Sequence, residues 1–521
     1  MAEDKPEIVM VGDREEDSRS DADKGSGVRT IDNIRVVGLT AEDASFYESF
    51  TDKDRKTLVR KVDVRLVPML SVLYLISQLD RANIGNAKIE GMNTDLGLTG
   101  LQYNIALSLF FIPYILFEIP SNILLKKFKR PSVYLGALVT SWGIIMMCHG
   151  FVKNFAGLMV VRMMLGILEA GFYPGAVYLC TFWYMPKELA TRISVFYCFS
   201  ALSGAFSGLL AAGIAEMDGV GGFRGWQWIF ILEGILTIVL GVACFALLID
   251  SPSLSHRWLS PDQIRYLELQ LFIKQGGRST EENERGHHWQ DFKAVITNPR
   301  MWGQAYILLC ISACSYGNKF TLPSITKAMG FTNTNAQLMT VPPYIAGAIS
   351  AIFFARLSDH FYWRMPFVAI PLGMIAVGYS IIISFKGDLP GHVGASMFAV
   401  ILACMGIYPV QPACSSWAAN NLAPSSRRAI GVAFVIATGN IGGIIGSYMF
   451  FDSESPSYFT GYGLAIAFGV TGMLMSFVLE ASYVWSNKKR ANMSELDIRS
   501  KYSEDELFRM GDRSPLFRYT T

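Results

Sequence analysis

Twelve stretches of this chain are apolar and long enough to cross a membrane as helices. They lie near residues 64–86, 103–125, 132–150, 155–181, 191–214, 226–249, 301–326, 336–357, 365–385, 393–418, 428–451 and 462–486. A hydrocarbon core about 30 Å thick takes about 20 apolar residues at 1.5 Å per residue. The fourth and seventh runs exceed that, which predicts tilt or overhang. Composition agrees: 51% of the 521 residues are hydrophobic and 17% charged, where soluble domains carry about 25% charge. The fold class that follows is an all-α membrane protein with twelve transmembrane helices.

Loop charge orients the helices. The 2–3 loop carries Lys126, Lys127, Lys129 and Arg130, the 4–5 loop Lys187 and Arg192, and the 8–9 loop Arg356 and Arg364. Arg427 and Arg428 follow span 10, and Lys488, Lys489 and Arg490 follow span 12. The opposite loops hold acids: Glu90, Asp95, Glu216, Asp218, Asp388, Asp452 and Glu454. The positive-inside rule puts both termini in the cytoplasm, and an even span count requires one side for both. Residues 1–60 read as a polar, largely disordered tail, with helix expected from Ala41 to Arg60; no signal peptide precedes the first span. Residues 61–250 form a first six-helix half, 251–300 a cytoplasmic linker with an amphipathic helix near 261–275, 301–487 a second half, and 488–521 a C-terminal tail. The halves repeat. Tyr173-Pro174, Trp183 and Arg192 match Tyr408-Pro409, Trp417 and Arg427-Arg428 at an offset of about 235 residues, and paired six-span repeats with a site between them are a transporter design.

Charges inside the apolar runs mark where chemistry is expected. Gln78-Leu79-Asp80-Arg81-Ala82-Asn83 follows an unbroken apolar run, so Asp80 lies roughly 21 Å in if the run enters at Leu66. Such charges face a polar cavity or a partner, unless the helix ends at Leu79 and the pair caps it. In span 4, Arg162, Gly166 and Glu169 share one helix face. Arg162 comes to about the depth of Asp80, which predicts an Arg162–Asp80 pair and an Arg81 left for an anion; the alternative is a permanent structural pair. Glu169 sits two turns deeper, where burial penalises the charged carboxylate and lets it take a proton near neutral pH. Glu118 in span 2 reads either as a second proton site or, preferably, as a hydrogen-bonding residue of the inner gate. Glu233 reads as a structural group bonding helix ends or loops near the outer side. Asp359 and Arg364 are placed to brace cytoplasmic helix ends, a gating role. Gln411 in span 10 and Asn440 in span 11 are candidate ligand contacts. Trp417 either stacks on a planar ligand or sits at the interface as a belt aromatic. Lys319 either attracts anions or snorkels to the surface.

Other chemistries are unsupported. All eight cysteines lie in apolar runs, so no disulfide framework is expected, and Cys310 and Cys314 read as packing residues. The chain shows no phosphate-binding loop, no His-rich metal set and no Ser/His/Asp grouping. Neither an enzyme nor a cofactor is expected. The net charge of +2 gives no argument for nucleic acid. The single sequon, Asn492-Met493-Ser494, falls on the cytoplasmic side and should stay unmodified.

Four motifs resemble one family. They are Asp80-Arg81-Ala82-Asn83-Ile84-Gly85-Asn86-Ala87, Phe117-Glu118-Ile119-Pro120-Ser121-Asn122, Arg162-x-x-x-Gly166-x-x-Glu169-Ala170-Gly171 and Trp228-Ile229-Phe230-Ile231-Leu232-Glu233-Gly234. Over about 60–490 the chain resembles the anion:cation symporters of the major facilitator superfamily, in the fungal allantoate permease branch. Phe128-Lys129-Arg130-Pro131-Ser132 and the Ala211–Gly222 stretch are most similar to high-affinity nicotinic acid permeases. The resemblance implies the major facilitator fold and proton-coupled uptake of a small organic anion at the plasma membrane. It implies proton coupling by Asp80 and Glu169, substrate binding by Arg81, and a charge network that includes Arg162. Gln78, where some relatives have an aromatic residue, is a further candidate substrate contact and points to a different substrate. The chain departs from the superfamily pattern after span 2, with Lys126-Lys127, and after span 8, where His360 follows Asp359. Expected partners are the anion, protons and the lipid bilayer, in a monomer. The rival readings are a proton-driven exporter of a fungal metabolite and a non-transporting nutrient receptor.

Overall fold

The computed structural model describes residues 28–31, 34–37, 39–125, 127–274, 290–361, 363–423, 425–503, 506–507 and 510–521. Each expected span is met by one helix or a broken pair. In order they are Asp52–Ile89; Gly100–Leu125; Pro131–His149; Phe155–Glu169 with Phe172–Thr181; Pro186–Ala215; Gly225–Leu247; Pro299–Ala328; Asn333–Leu338 with Val341–Phe361; Pro366–Ser384; Val393–Asn420; Ser425–Ser447; and Phe459–Ala491. Among the described residues, 10 of these are long and apolar enough to cross a membrane on those grounds alone. The fifth span has its apolar part in Phe199–Ala215. The seventh buries Gln304, Asn318, Lys319, Thr321 and Thr326, which lowers its hydropathy.

Local chemistry sets the helix ends. Spans 3, 7 and 9 open on Pro131, Pro299 and Pro366, where the missing N–H would have had no partner and the fixed φ suits a helix. Asn154 caps span 4 by accepting from the Gly157 N–H at 2.9 Å. Pro120 follows Glu118 by two residues, and Pro409 and Pro412 flank Gln411. Each lacks the N–H that would tie it to the preceding turn.

The second half is cored by residues such as Leu308, Ile311, Leu372, Ile375, Cys404, Tyr379 and Trp417. The two halves meet at unusually short range. Between spans 5 and 8, a Cβ on Gly208 would lie 2.4 Å from Thr340 Oγ1, and one on Gly204 would lie 2.5 Å from the Tyr344 ring. No other residue fits there without displacement. At the end carrying the 1–2, 7–8 and 11–12 loops, polar contacts join the halves. Lys88 pairs with Asp452, Gln337 Nε2 donates to Glu90 Oε1 at 2.9 Å, and Lys327 Nζ donates to the Ile89 carbonyl at 3.2 Å.

The C-terminal segment, expected as a tail, is strapped onto the second half. Asn421 exchanges hydrogen bonds with the Thr520 backbone at 2.9 and 2.7 Å, and Asn487 does the same with Tyr519 at 2.8 and 2.9 Å. Arg427 pairs with Asp512 at 2.7 Å, and the guanidiniums of Arg300 and Arg490 each lie 4.5 Å from the Tyr519 ring centroid.

A second compact unit joins the N-terminal segment to part of the linker. It contains an antiparallel ribbon, Val28–Ile31 with Ile34–Val37, so the expected disordered tail has regular structure in its described part. Helix Ala41–Ser49 is capped by Thr40, which accepts from Asp43 N–H at 3.1 Å. On the linker helix Pro261–Lys274, Tyr266 stacks on Tyr47 at 4.9 Å and on Phe50 at 4.3 Å. Arg265 reaches Glu42 at 3.0 Å and Asp43 at 2.8 Å.

Candidate functional site

A cavity of about 210 Å³ lies between the halves. Span 1 presents Tyr74, Gln78 and Arg81, which recur every turn on one face. Span 2 adds Tyr114 and Glu118, span 4 Tyr173, span 7 Tyr316, span 10 Gln411, Ser415 and Ser416, and span 11 Asn440. Of the residues expected at the site, Gln78, Arg81, Glu118, Gln411 and Asn440 are thus brought together.

Arg81 is the centre of this wall. Its Nε donates to Glu169 Oε1 at 2.7 Å, and its Nη1 donates to the Tyr316 hydroxyl at 2.9 Å across the halves. The Phe110 and Tyr114 rings lie 5.1 and 4.6 Å from the guanidinium carbon, a separation that allows cation–π attraction. Ser77 donates to the same Glu169 oxygen at 2.5 Å, while Glu169 Oε2 is buried without a partner. Asp80 repeats the pattern behind the wall. Its Oδ2 accepts from Trp142 Nε1 at 3.1 Å and Thr237 Oγ1 at 3.3 Å, and its Oδ1 is buried and unpartnered. Two carboxylates therefore each gather their donors on one oxygen and leave the other bare, a costly state for a charged group and a natural seat for a proton.

Several expectations need correction. Arg162 does not pair with Asp80: among the described residues it forms no ion pair, and its Nε and Nη2 are buried without partners. The acid partner in span 4 goes to Arg81 instead, so Arg81 is not left free. Successive residues on a helix point in different directions, and the turn from Asp80 to Arg81 sends one behind the wall and one into it. Trp417 does not face the cavity. It is fully buried, donates Nε1 to the Thr520 carbonyl at 2.9 Å, and meets Tyr483 edge-on. Its indole N–H is taken up by the C-terminal strap. Lys319 does not snorkel; it is 3% exposed and donates Nζ to Gln78 Oε1 at 2.9 Å. Neither oxygen of Glu233 has a hydrogen-bond partner, so it does not hold helix ends or loops. Arg364 donates to Ser358 Oγ at 2.8 Å, and its backbone N–H donates to the Thr521 carbonyl at 2.7 Å. The Asp359 side chain lies outside the described residues. Glu118 Oε2 accepts from Asn440 Nδ2 at 3.3 Å across the halves.

Sequence reasoning missed Tyr316, Tyr114, Trp142, Thr237 and Ser77 as members of the site. Each reaches its partner through packing of separate helices, and only the spacing of Tyr316 and Lys319, one turn apart on span 7, hinted at a common face. Among the described residues no group of His, Cys, Asp and Glu gathers as a metal site.

Comparison with known proteins agrees with this architecture. The Major Facilitator Superfamily profile matches residues 70–447. The chain is 35% identical to the MFS-type transporter cnsO of Penicillium expansum, over 95% of this chain and 96% of that one. It is 31% identical to the high-affinity nicotinic acid transporter of Saccharomyces cerevisiae, over 93% of this chain and 88% of that one. A bacterial homologue of the human lysosomal transporter Spinster, solved in an inward-facing and unoccupied conformation, superposes with a TM-score of 0.64 at 16% identity. That match covers 80% of this chain and 97% of the other.

Proposed function

The chain belongs to the Major Facilitator Superfamily, a family of transporters rather than enzymes, and we propose that it imports a small organic anion together with protons. The observation that carries this reading is the Arg81–Glu169 pair, buried at the edge of a cavity between two six-helix halves. A substrate carboxylate and Glu169 compete for one guanidinium. A proton on Glu169 releases Arg81 to the substrate, so the two loads travel together. The bare oxygens of Glu169 and Asp80 support both residues as proton seats. The loop charges support cytoplasmic termini. With that orientation the joined loops around Lys88 and Asp452 lie outside, and transport proceeds by alternating access in the plasma membrane. Asn440 lines the cavity as a ligand contact, tied to Glu118 across the halves, and Arg364 at the helix end serves as a gating contact. Similarity to a nicotinic acid transporter makes nicotinate the first substrate to test.

The test is uptake of labelled nicotinate by cells lacking their own carrier, at acidic and neutral outside pH, with and without a protonophore. The expected result is saturable uptake that rises with acidity and collapses with the protonophore. No uptake by cells displaying the protein at their surface would refute nicotinate import. Protection of those cells against an added toxic acid would instead indicate export.

A further inference from the structure

The cavity is chemically lopsided. Its span 1 wall offers donors. Arg81 has five N–H donors and no acceptor; Nε donates to Glu169, Nη1 to Tyr316, and the Tyr114 hydroxyl takes a further hydrogen bond, which leaves donors over for a ligand. Beside it, Gln78 is set in one orientation by Lys319. An ammonium can only donate, so its 2.9 Å contact claims Gln78 Oε1 and leaves the amide NH2 for the cavity that Gln78 lines. The wall of spans 2 and 11 offers acceptors. Asn440 turns its NH2 toward Glu118 and gives one N–H to Oε2 at 3.3 Å, which leaves Glu118 Oε1 and Asn440 Oδ1 to receive. Among the described residues Glu118 forms no ion pair that would occupy it. Between the two walls, Tyr74, Tyr114, Tyr173 and Tyr316 supply aromatic surface, which favours a flat ligand.

From this polarity we infer that the substrate is a flat acid whose far end donates a hydrogen bond: its carboxylate goes to Arg81 and Gln78, and an O–H or N–H goes to Glu118 and Asn440. Lys319 is the positioning residue that holds Gln78 with its donors outward. The inference rests on the cavity being the substrate site, and it narrows the substrate class. An unprotonated pyridine nitrogen is itself an acceptor, so a pyridine carboxylate suits the far wall only with a proton on its ring.

The experiment is equilibrium binding to the purified full-length protein of four probes: benzoate, 3-hydroxybenzoate, 4-hydroxybenzoate and 4-methoxybenzoate. The last has an acceptor where the hydroxyl has a donor. One hydroxybenzoate should bind about tenfold or more tighter than both benzoate and 4-methoxybenzoate, the scale of a hydrogen bond to a charged group. In Glu118→Leu that ratio should fall to about one. Asn440→Ala reads the same wall should Glu118→Leu fail to fold. Equal binding of all four probes, or a hydroxyl advantage that survives both substitutions, would overturn the inference while leaving the cavity as an anion site. Failure of every probe to bind the wild-type protein would overturn the inference and the site together.

Discussion

The two halves contribute opposite kinds of polarity to one cavity. The first buries ionisable groups: Asp80, Arg81, Arg162, Glu169 and Glu233 are all at most 5% exposed. Of these only Arg81 lines the cavity, the others lying behind its wall; the second half lines it with the neutral groups of Tyr316, Gln411, Ser415, Ser416 and Asn440, and a buried cation nearby, Lys319, is turned onto an amide. Outside the cavity the roles reverse. The second half spends its arginines on the C-terminal strap, where Arg300, Arg427 and Arg490 hold Tyr519 and Asp512. On the proposed reading, charge in the first half is exchanged and charge in the second stays fixed. A buried pair is poor at adding stability, because desolvation offsets most of its attraction. Its presence beside a cavity is what that reading requires.

The sharpest way to break this contrast is to alter the exchangeable pair. Arg81→Ala should abolish saturable anion uptake, a loss of at least about a hundredfold on the scale of about 3–5 kcal/mol for a broken buried pair. Glu169→Gln should keep anion exchange but lose accumulation driven by the pH gradient. Normal uptake in the first variant, or undiminished accumulation in the second, would show that the charges only hold helices together. Next in size is the seam between the halves. Gly208→Ala places a methyl 2.4 Å from Thr340 Oγ1 and 2.7 Å from the Gln337 carbonyl oxygen. Overpacking of that kind costs about 1–3 kcal/mol, so transport should fall by roughly tenfold or more with surface expression retained. Wild-type rates would mean that the halves do not close this tightly during the cycle.

Smaller still is the fixed charge and amide lattice of the second half. Asn421→Ala with Asn487→Ala removes four hydrogen bonds to the strap, at about 1 kcal/mol each. The melting temperature of the purified protein should drop by several degrees, while the pH dependence of uptake stays as it was. A changed pH dependence would place the strap in the exchange machinery. The smallest effect belongs to the N-terminal unit. A hydrogen bond from Thr40, then the Arg265 guanidinium, holds the Asp43 carboxyl below its usual range. A lowered carboxylate adds stability that is present above its unfolded value of about 3.9 and is lost as pH falls through the lower folded value. Asp43 is largely solvated, so the effect is small. Protection of the amides in helix Ala41–Ser49, relative to their unstructured exchange rate at the same pH, should fall only below about pH 4; a fall between pH 7 and 5 would contradict this.

Much of the fold could be read from hydropathy, because a spanning helix announces itself by length alone. Span 7, read at 301–326, is met by Pro299–Ala328 despite the inward-facing polar residues that lower its hydropathy; the weak readings were the terminal segments, whose order depends on partners far away in sequence. Half of the site was equally plain. Gln78, Arg81, Glu118, Gln411 and Asn440 stand out as polar residues in apolar runs. Their pairing was not plain: depth along a helix placed Arg162 level with Asp80, but azimuth decides which arginine meets which acid. Trp417 failed for a related reason, since Thr520 and Asn421 sit together only through the folded strap. Tyr316 and Trp142 carry no charge, and nothing local distinguishes them from other aromatics of their helices.

The glycine seam between spans 5 and 8 has a mechanical consequence. Gly204 and Gly208 leave notches on span 5 that take the Tyr344 ring and the Thr340 side chain of span 8, so the halves close fully along this line. Closure is also held by contacts around the rim: Lys88 with Asp452, Glu90 with Gln337, and Lys327 with Ile89. Under the proposed alternating access, opening on that side requires these rim contacts to part, so they act as reversible latches. Single substitutions there can retune how long the carrier dwells on either side without touching the cargo hold.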